Sequence, residues 1–586
     1  MNSRTCCPRP VRYAVFAALV LLSSTLLLAH NPAASNTDPV AAAHWKPGAA
    51  QVQLQGQIEI VHQDFPDGHG QYVYSLKQSD GTRLPMHFVK NPPTHLLTGD
   101  HITASGQQSS SGLILYSGGN VKNSGGGGSG GGTTTSSIPL PNTFGVQSVL
   151  IMLVNFQDDV VEPYTPGDAQ TAFFGAGDSA TNFILENSYG QTSLTGAVVG
   201  WFTIPDSVTV CNTSQIATDA QNAAVASGVN LGNYTRYVYM FPQNLACGFG
   251  GASNVGGNPS QSWINGSLDM HTIDHELGHA FGLWHSHSLD CGTNATICSA
   301  GTVVEYGDLL DVMGTVQTPS PHYDAFQKER LGWLNYGASP SIQTVTSGGT
   351  YTIYPYEQAG PGPNALKVLQ STDPTTGTKT WYYLESRQAI GFDAFLTNTT
   401  CAFCYTQNET TGILFHLGTD GNGNSGELLD MTPATPTSGF WYDPSLATGQ
   451  TYQDSSSGAT FAPESVTGTG ATVNVQFSGG APNSTAQSTP ALAVATNQAI
   501  YNPGQTVSVS ATVTSGGKPV PNVSVSFLVT SASGIQVTGS STTGNNGTAV
   551  YKIKLKQSAP AGTYNAGAAA TIQQNALTAT AAFTVQ

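Results

Sequence analysis

The sequence predicts a multidomain protein: an α+β domain flanked by all-β domains. Three observations predict it. At 586 residues the chain is too long for one hydrophobic core. Charged residues make up only 9% of it and hydrophobic ones 39%, so Gly, Ser, Thr, Asn and Gln supply the polarity. That composition suits many short strands between turns and carries enough apolar surface to offset chain entropy. The hydrophobic period also changes along the chain. Alternation dominates the outer segments, whereas strands interleave with helix-like segments between about 145 and 340.

Arg4, Arg9 and Arg12 precede an apolar run from Tyr13 to about Ala29, followed by small residues. This is the layout of a secretory signal over residues 1–30, cut between about Ala29 and Ala34. An uncleaved anchor is the alternative. Residues 48–122 contain "VQLQGQIEIVHQ", "GQYVYSLKQ" and "GLILYSGG", short alternating runs expected to form a small β-domain, such as a barrel. "NSGGGGSGGGTTTSS" at 123–137 has no side chains to pack and reads as a flexible linker. The preceding segment, 30–122, is expected to be a propeptide released by cleavage in or near this tether. Such a module could block a cleft through a polar side chain such as His95 or Asp100.

The α+β domain is expected over 140–345, with "SVLIMLVNFQDD" and "RYVYMFP" as strands and "SATNFILEN" and "SQIATDAQNAAVASG" as helices. Residues 346–480 read as a β-sandwich and 487–586 as an immunoglobulin-like sandwich, from strands recurring at sandwich spacing. Once Cys6 and Cys7 leave with the signal, six cysteines remain, and an even number in an exported chain implies disulfides. Proximity favours 211–247, 291–298 and 401–404.

The chemistry concentrates in "TIDHELGHAFGLWHSH", Thr272 to His287, which holds four of the chain's 14 histidines. Residues four apart share a helix face, so His275 and His279 can bind one ion together, with Glu276 beside them to accept a proton from water. Gly282 can end the helix in a left-handed conformation. The chain then turns, and His285 can return as a third ligand. Three imidazoles and one open position form a catalytic zinc arrangement, as distinct from a closed structural site. His271 and His287 lie close but outside this spacing.

The string H-E-x-x-H-x-x-G-x-x-H resembles that of the metzincin zinc endopeptidases. "DLLDVMG" supplies Met313 as the methionine turn that the resemblance implies beneath the metal. "HELGHAFGLWHSH", "YGDLLDVMG" and "HYDAFQKERLGWL" are similar to the gametolysin-like peptidases, and "GKPVPNVSVSFLVT" to bacterial immunoglobulin-like modules. The resemblance implies a metzincin-type catalytic domain with Zn²⁺ on His275, His279 and His285, and Glu276 as the catalytic base. Two features depart from it. No cysteine lies between Cys7 and Cys211 to act as a propeptide latch, and Thr315 stands where some metzincins place a tyrosine ligand. His322 and Tyr323 are near in sequence but are not assigned to the metal.

"DGNGNSGE" (Asp420 to Glu427) alternates oxygen ligands in the manner of a Ca²⁺ loop, with its glycine misplaced for an EF-hand; a hairpin tip is the favoured reading. The net charge of -16 excludes a basic stripe for nucleic acid. The expected function is a secreted zinc endopeptidase acting on protein or glycoprotein substrates, with no membrane contact in the mature form. The C-terminal β-domains would touch a surface or polysaccharide. The rival is an exported adhesion or substrate-binding protein with an inactive peptidase-like domain.

Overall fold

The computed structural model describes residues 38–124, 139–266, 268–314, 320–397, 408–435, 441, 443–478, 490–515, 518–531, 536–572 and 575–586. The expected signal, most of the tether, Thr315, Cys401 and Cys404 lie outside them. The chain divides into two compact units, Met1–Gln453 with Ala459–Ser478, and Asp454–Gly458 with Gly479–Gln586.

In the first unit a short helix α1 (Pro39–His44) leads into β1 (Val52–Asp64), β2 (Gly70–Lys77), β3 (Arg83–Phe88), β4 (His101–Ser109), β5 (Gly112–Leu115) and β6 (Val121–Asn123). β1 to β5 close on themselves because the first half of β1 pairs with β4, Val52 opposite Gly106 and Gln57 opposite His101. Alternate side chains then point inward, and Ile58, Ile60, Leu76, Ile102 and Leu113 form a fully buried core.

The next segment supplies β7 (Gly145–Phe156), α2 (Pro166–Phe174), α3 (Ala180–Asn187), β8 (Thr192–Ile204), α4 (Thr213–Ala226), β9 (Arg236–Phe241), β10 (Gly251–Asn254), β11 (Ser260–Asn265) and α5 (Met270–Phe281). β8, β7, β9 and β11 run parallel, and β10 joins β11 antiparallel at the edge. β7 and β9 are buried on both faces, so they read as continuous apolar runs. The second half of β1 crosses to this sheet and pairs antiparallel with β10, from Val61 opposite Asn254 to Asp64 opposite Gly251. One eleven-stranded sheet results. α2 was not read from the sequence; Thr165 caps it by accepting from the Asp168 amide and Pro166 starts it, a signal in "TPGD".

After α5 come β12 (Ser286–Asp290), β13 (Thr302–Val304), α6 (Ala325–Leu331), β14 (Ile342–Val345), β15 (Gly349–Ile353), β16 (Ala365–Thr372), β17 (Lys379–Glu385), β18 (Gly412–Thr419) and β19 (Asn422–Leu429). β12 pairs parallel with β19, and β18, β17, β16 and β14 follow in the same sheet. Strands from both sides of residue 345 therefore share a sheet. A buried ionic network ties this sheet to the loop carrying Met313. Arg387 pairs with Glu385 at 2.9 Å and Asp393 at 3.2 Å, and donates to the Leu310 carbonyl at 2.7 Å. His416 donates to Asp308 at 3.0 Å. Burial pushes the Glu385 carboxyl up, but Arg387 and His416 more than offset this and hold it at about 2.

Against an unfolded value of about 4.3, that depression contributes on the order of 3 kcal/mol. The contribution is present above about pH 4.3 and is lost as pH falls through the folded value. Glu385→Gln should lower the unfolding midpoint strongly at neutral pH and progressively less on acidification. An equal deficit at pH 7 and pH 3 would exclude this account.

Cys211–Cys247 and Cys291–Cys298 are disulfide-bonded. Among the described residues no helix is long and apolar enough to cross a membrane. The second unit is a two-sheet β-structure with a core that includes Val507, Val509, Val525, Phe527 and Ala566.

Candidate metal centre

α5 is built to present its polar residues at one place. Asp269 caps it, its carboxylate accepting from the Thr272 amide at 3.0 Å. Ile273, Leu277 and Phe281 pack into the core beside Val238, Met240 and Ile264, each burial contributing about 1.5–3 kcal/mol. Gly282 ends the helix at φ 103°, a left-handed conformation, and the Leu283 amide returns to the Gly278 carbonyl at 3.0 Å. The reversal carries Leu283 and Trp284 into buried positions and delivers His285 to the start of β12.

His275, His279 and His285 come together, with ring centroids 4.9, 5.2 and 5.1 Å apart. Each ring is oriented by its Nδ1: His275 on the Val312 carbonyl at 2.7 Å, His279 on the Leu283 carbonyl at 2.9 Å, and His285 on the Glu305 carboxylate. Those oxygens only accept, so each Nδ1 carries a proton, and the three Nε2 atoms turn to a common centre. His279 Nε2 is buried without a hydrogen-bond partner.

The other requirements of the site are met nearby. Glu276 is buried, and both carboxyl oxygens lack hydrogen-bond partners. It fits because position 251 is glycine; a Cβ there would stand 2.0 Å from Glu276 Oε1. Burial, and then the charge of Asp64, push this carboxyl well above its ordinary range. Met313 lies beneath α5, close enough that a Cβ on Gly278 would come within 2.3 Å of its sulfur. His287 Nε2 meets Asn424 at 3.1 Å instead of the centre, and His322 pairs with Glu186 at 2.8 Å. Tyr323 donates to the Asp274 carbonyl at 3.2 Å.

Four residues at the centre were missed in the sequence: Asp64, His62, Glu305 and Tyr306. Asp64 Oδ1 is 2.9 Å from His285 Nε2 and 3.2 Å from His275 Nε2, and its Oδ2 is 3.8 Å from His279 Nε2. Tyr306 donates to Asp64 Oδ1 at 2.5 Å, and His62 Nδ1 to its Oδ2 at 3.1 Å. His95 and Asp100, the residues expected to block the cleft, are elsewhere. His95 is exposed, and Asp100 accepts from the Leu97 amide at 3.0 Å.

The donor set fits a divalent cation. Burial would strip His285 of a proton, yet the Asp64 and Glu305 carboxylates hold its value up at about 9. That field calls for a positive charge at Nε2, which a metal ion supplies as well as a proton does. Burial, reinforced by His62, holds His279 well below the ordinary imidazole value, in its neutral ligating form. "DGNGNSGE", in contrast, supplies the β18–β19 turn at Asp420 and Gly421 and the first part of β19, with Asp420 accepting from the Trp381 indole at 2.9 Å and Asn424 engaged by His287.

Comparison with known proteins adds to this. No curated protein matches the chain. Among solved structures, a tetra-tandem repeat from the extending region of a large adhesion protein is 17% identical over 37% of this chain and 48% of its own, with a TM-score of 0.16. The sporulation control protein Spo0M of Bacillus subtilis is 14% identical over 17% of this chain and 49% of its own, with a TM-score of 0.13. The chain thus spans about half the length of each, and likenesses so slight have no bearing on the site. Residues 491–585 match the MG2 domain, an immunoglobulin-like fold that is not specifically the bacterial immunoglobulin-like module expected from the sequence. Residues 164–402, which include α5 and Met313, match the gametolysin peptidase M11 family, and this supports a peptidase of that family.

Proposed function

We propose that the protein is a secreted zinc-dependent endopeptidase of metzincin type that hydrolyses peptide bonds of extracellular proteins. The observation that carries this reading is the set of three imidazoles, each fixed through Nδ1, with Nε2 atoms converging beside an unpartnered carboxyl, within a segment that matches a peptidase family. His275, His279 and His285 would hold Zn²⁺. Zinc so held supplies Lewis acidity toward the scissile carbonyl and brings the pKa of water down to about 7.

The chain's own residues do the rest. Glu276 takes the proton of the attacking water and delivers it to the leaving amine. A carboxyl whose pKa is raised by burial suits both halves of that transfer. Glu305 and the Val312 and Leu283 carbonyls keep the three imidazoles in one tautomer and one orientation. Met313 shapes the floor without reacting. β10, the edge strand above Glu276, offers backbone groups to an extended peptide once β1 is removed. The expected cleavage between residues 120 and 145 would release β1 with the rest of the N-terminal module.

Elemental analysis of the purified protein should find about one zinc per chain, as expected for one three-histidine site. No transition metal in protein prepared without chelators would refute the reading.

A further inference from the structure

The N-terminal module does more than cover the cleft. We infer that Asp64 is a fourth metal ligand, supplied in cis by the N-terminal module, and that it latches the peptidase in an inactive state. The inference deepens the zinc reading above and rests on it.

Backbone pairing aims the carboxylate. β1 adds to the edge of the catalytic sheet, with Val61, His62, Gln63 and Asp64 opposite Asn254, Ser253, Ala252 and Gly251. The Gly250 amide donates to the Asp64 carbonyl at 2.8 Å, and the Val255 amide to the Ile60 carbonyl at 2.9 Å. This register fixes which residue stands over the histidines, because a one-residue slip would turn the side chain to the other face. The same strand closes the barrel through β4, so the aim is set by a folded module and not by a loose tail.

Chemistry favours the carboxylate as ligand. Its Oδ1 lies 2.9 and 3.2 Å from two of the converging Nε2 atoms, and its Oδ2 is 3.8 Å from the third. Asp64, His279 and His285 offer ligand atoms close enough together to share one cation, and so do Asp64 and His275. Tyr306 and His62 each donate to the carboxylate and fix its orientation. Carboxylate oxygen is an ordinary zinc ligand, and three histidines plus one such oxygen complete a tetrahedral set, leaving no open position for water. Latency is thereby explained in a chain with no cysteine between Cys7 and Cys211. Cleaving the tether frees the module to leave, which removes the ligand and uncovers β10 together.

The test uses the full-length chain carrying Glu276→Gln, which prevents self-cleavage, loaded with cobalt(II) as a spectroscopic substitute. Adding Asp64→Ala should alter the visible cobalt bands and raise the affinity for a small hydroxamate by tenfold or more, the reciprocal of the fraction of sites the carboxylate leaves open. Asp64→Asn, which keeps the shape and loses the charge, should move both readouts the same way. Asp67→Asn, at an exposed position three residues on, should move neither. Metal uptake with unchanged bands and unchanged hydroxamate affinity in both Asp64 variants would overturn the latch alone. Failure of every chain to take up metal would overturn the zinc reading, and the latch with it.

Discussion

Glu276→Gln should yield a folded protein that retains its zinc and has lost hydrolysis by several orders of magnitude. Glutamine preserves the size and helix propensity of the side chain but cannot accept the proton of the attacking water. Loss of a general base alone costs about 10²–10⁴-fold, and here activation of the nucleophile suffers with it. The pocket tolerates the change sterically because Gly251 leaves room for a side chain of this length. The check is a turnover assay on processed enzyme with parallel metal analysis. A variant that cleaves protein at close to the wild-type rate would remove Glu276 from the chemistry.

The second large effect separates His285 from His287. His285→Ala leaves two imidazoles from one helix, an incomplete set for zinc. It also strips Glu305 of the buried imidazole it orients. Zinc should be lost on dialysis, and activity should return in part with excess zinc. His287→Ala removes a ring directed at Asn424 and should leave the metal content unchanged. Equilibrium dialysis of both variants decides the point, and loss of metal from His287→Ala alone would show that the turn at Gly282 delivers a different residue.

The part of the site that local spacing encodes was legible in the sequence. His275, Glu276 and His279 share a helix, and Gly282 marks its end, so their assembly and the return of His285 follow from helix geometry within a dozen residues. Met313 was found through the resemblance. Asp64 was not legible, because it reaches His275 across 211 positions of sequence and its approach depends on β1 pairing with β10. A faint signal existed: His62 and Asp64 lie two apart in an alternating strand, and so point to the same face, beside a strand end. The polarity of His95 and Asp100, in contrast, carries no information about strand register, and register decides which side chain of the module reaches the centre. The network of Glu385, Arg387 and His416 was invisible for the same reason, since it joins β17 and β18 to the Met313 loop through tertiary packing. Segment types in the α+β region were readable where the period was strong, as in β7, α4 and β9. What strand joins which sheet was not, and so the sharing of sheets across residue 345 emerged only from the structure.

Casein hydrolysis by the processed protein, assayed before and after a zinc chelator and again after zinc is restored, tests the central claim most directly. The account predicts hydrolysis that the chelator abolishes and stoichiometric zinc returns. Hydrolysis that persists in fully chelated protein, or metal-replete processed protein that cleaves no peptide bond, would contradict it.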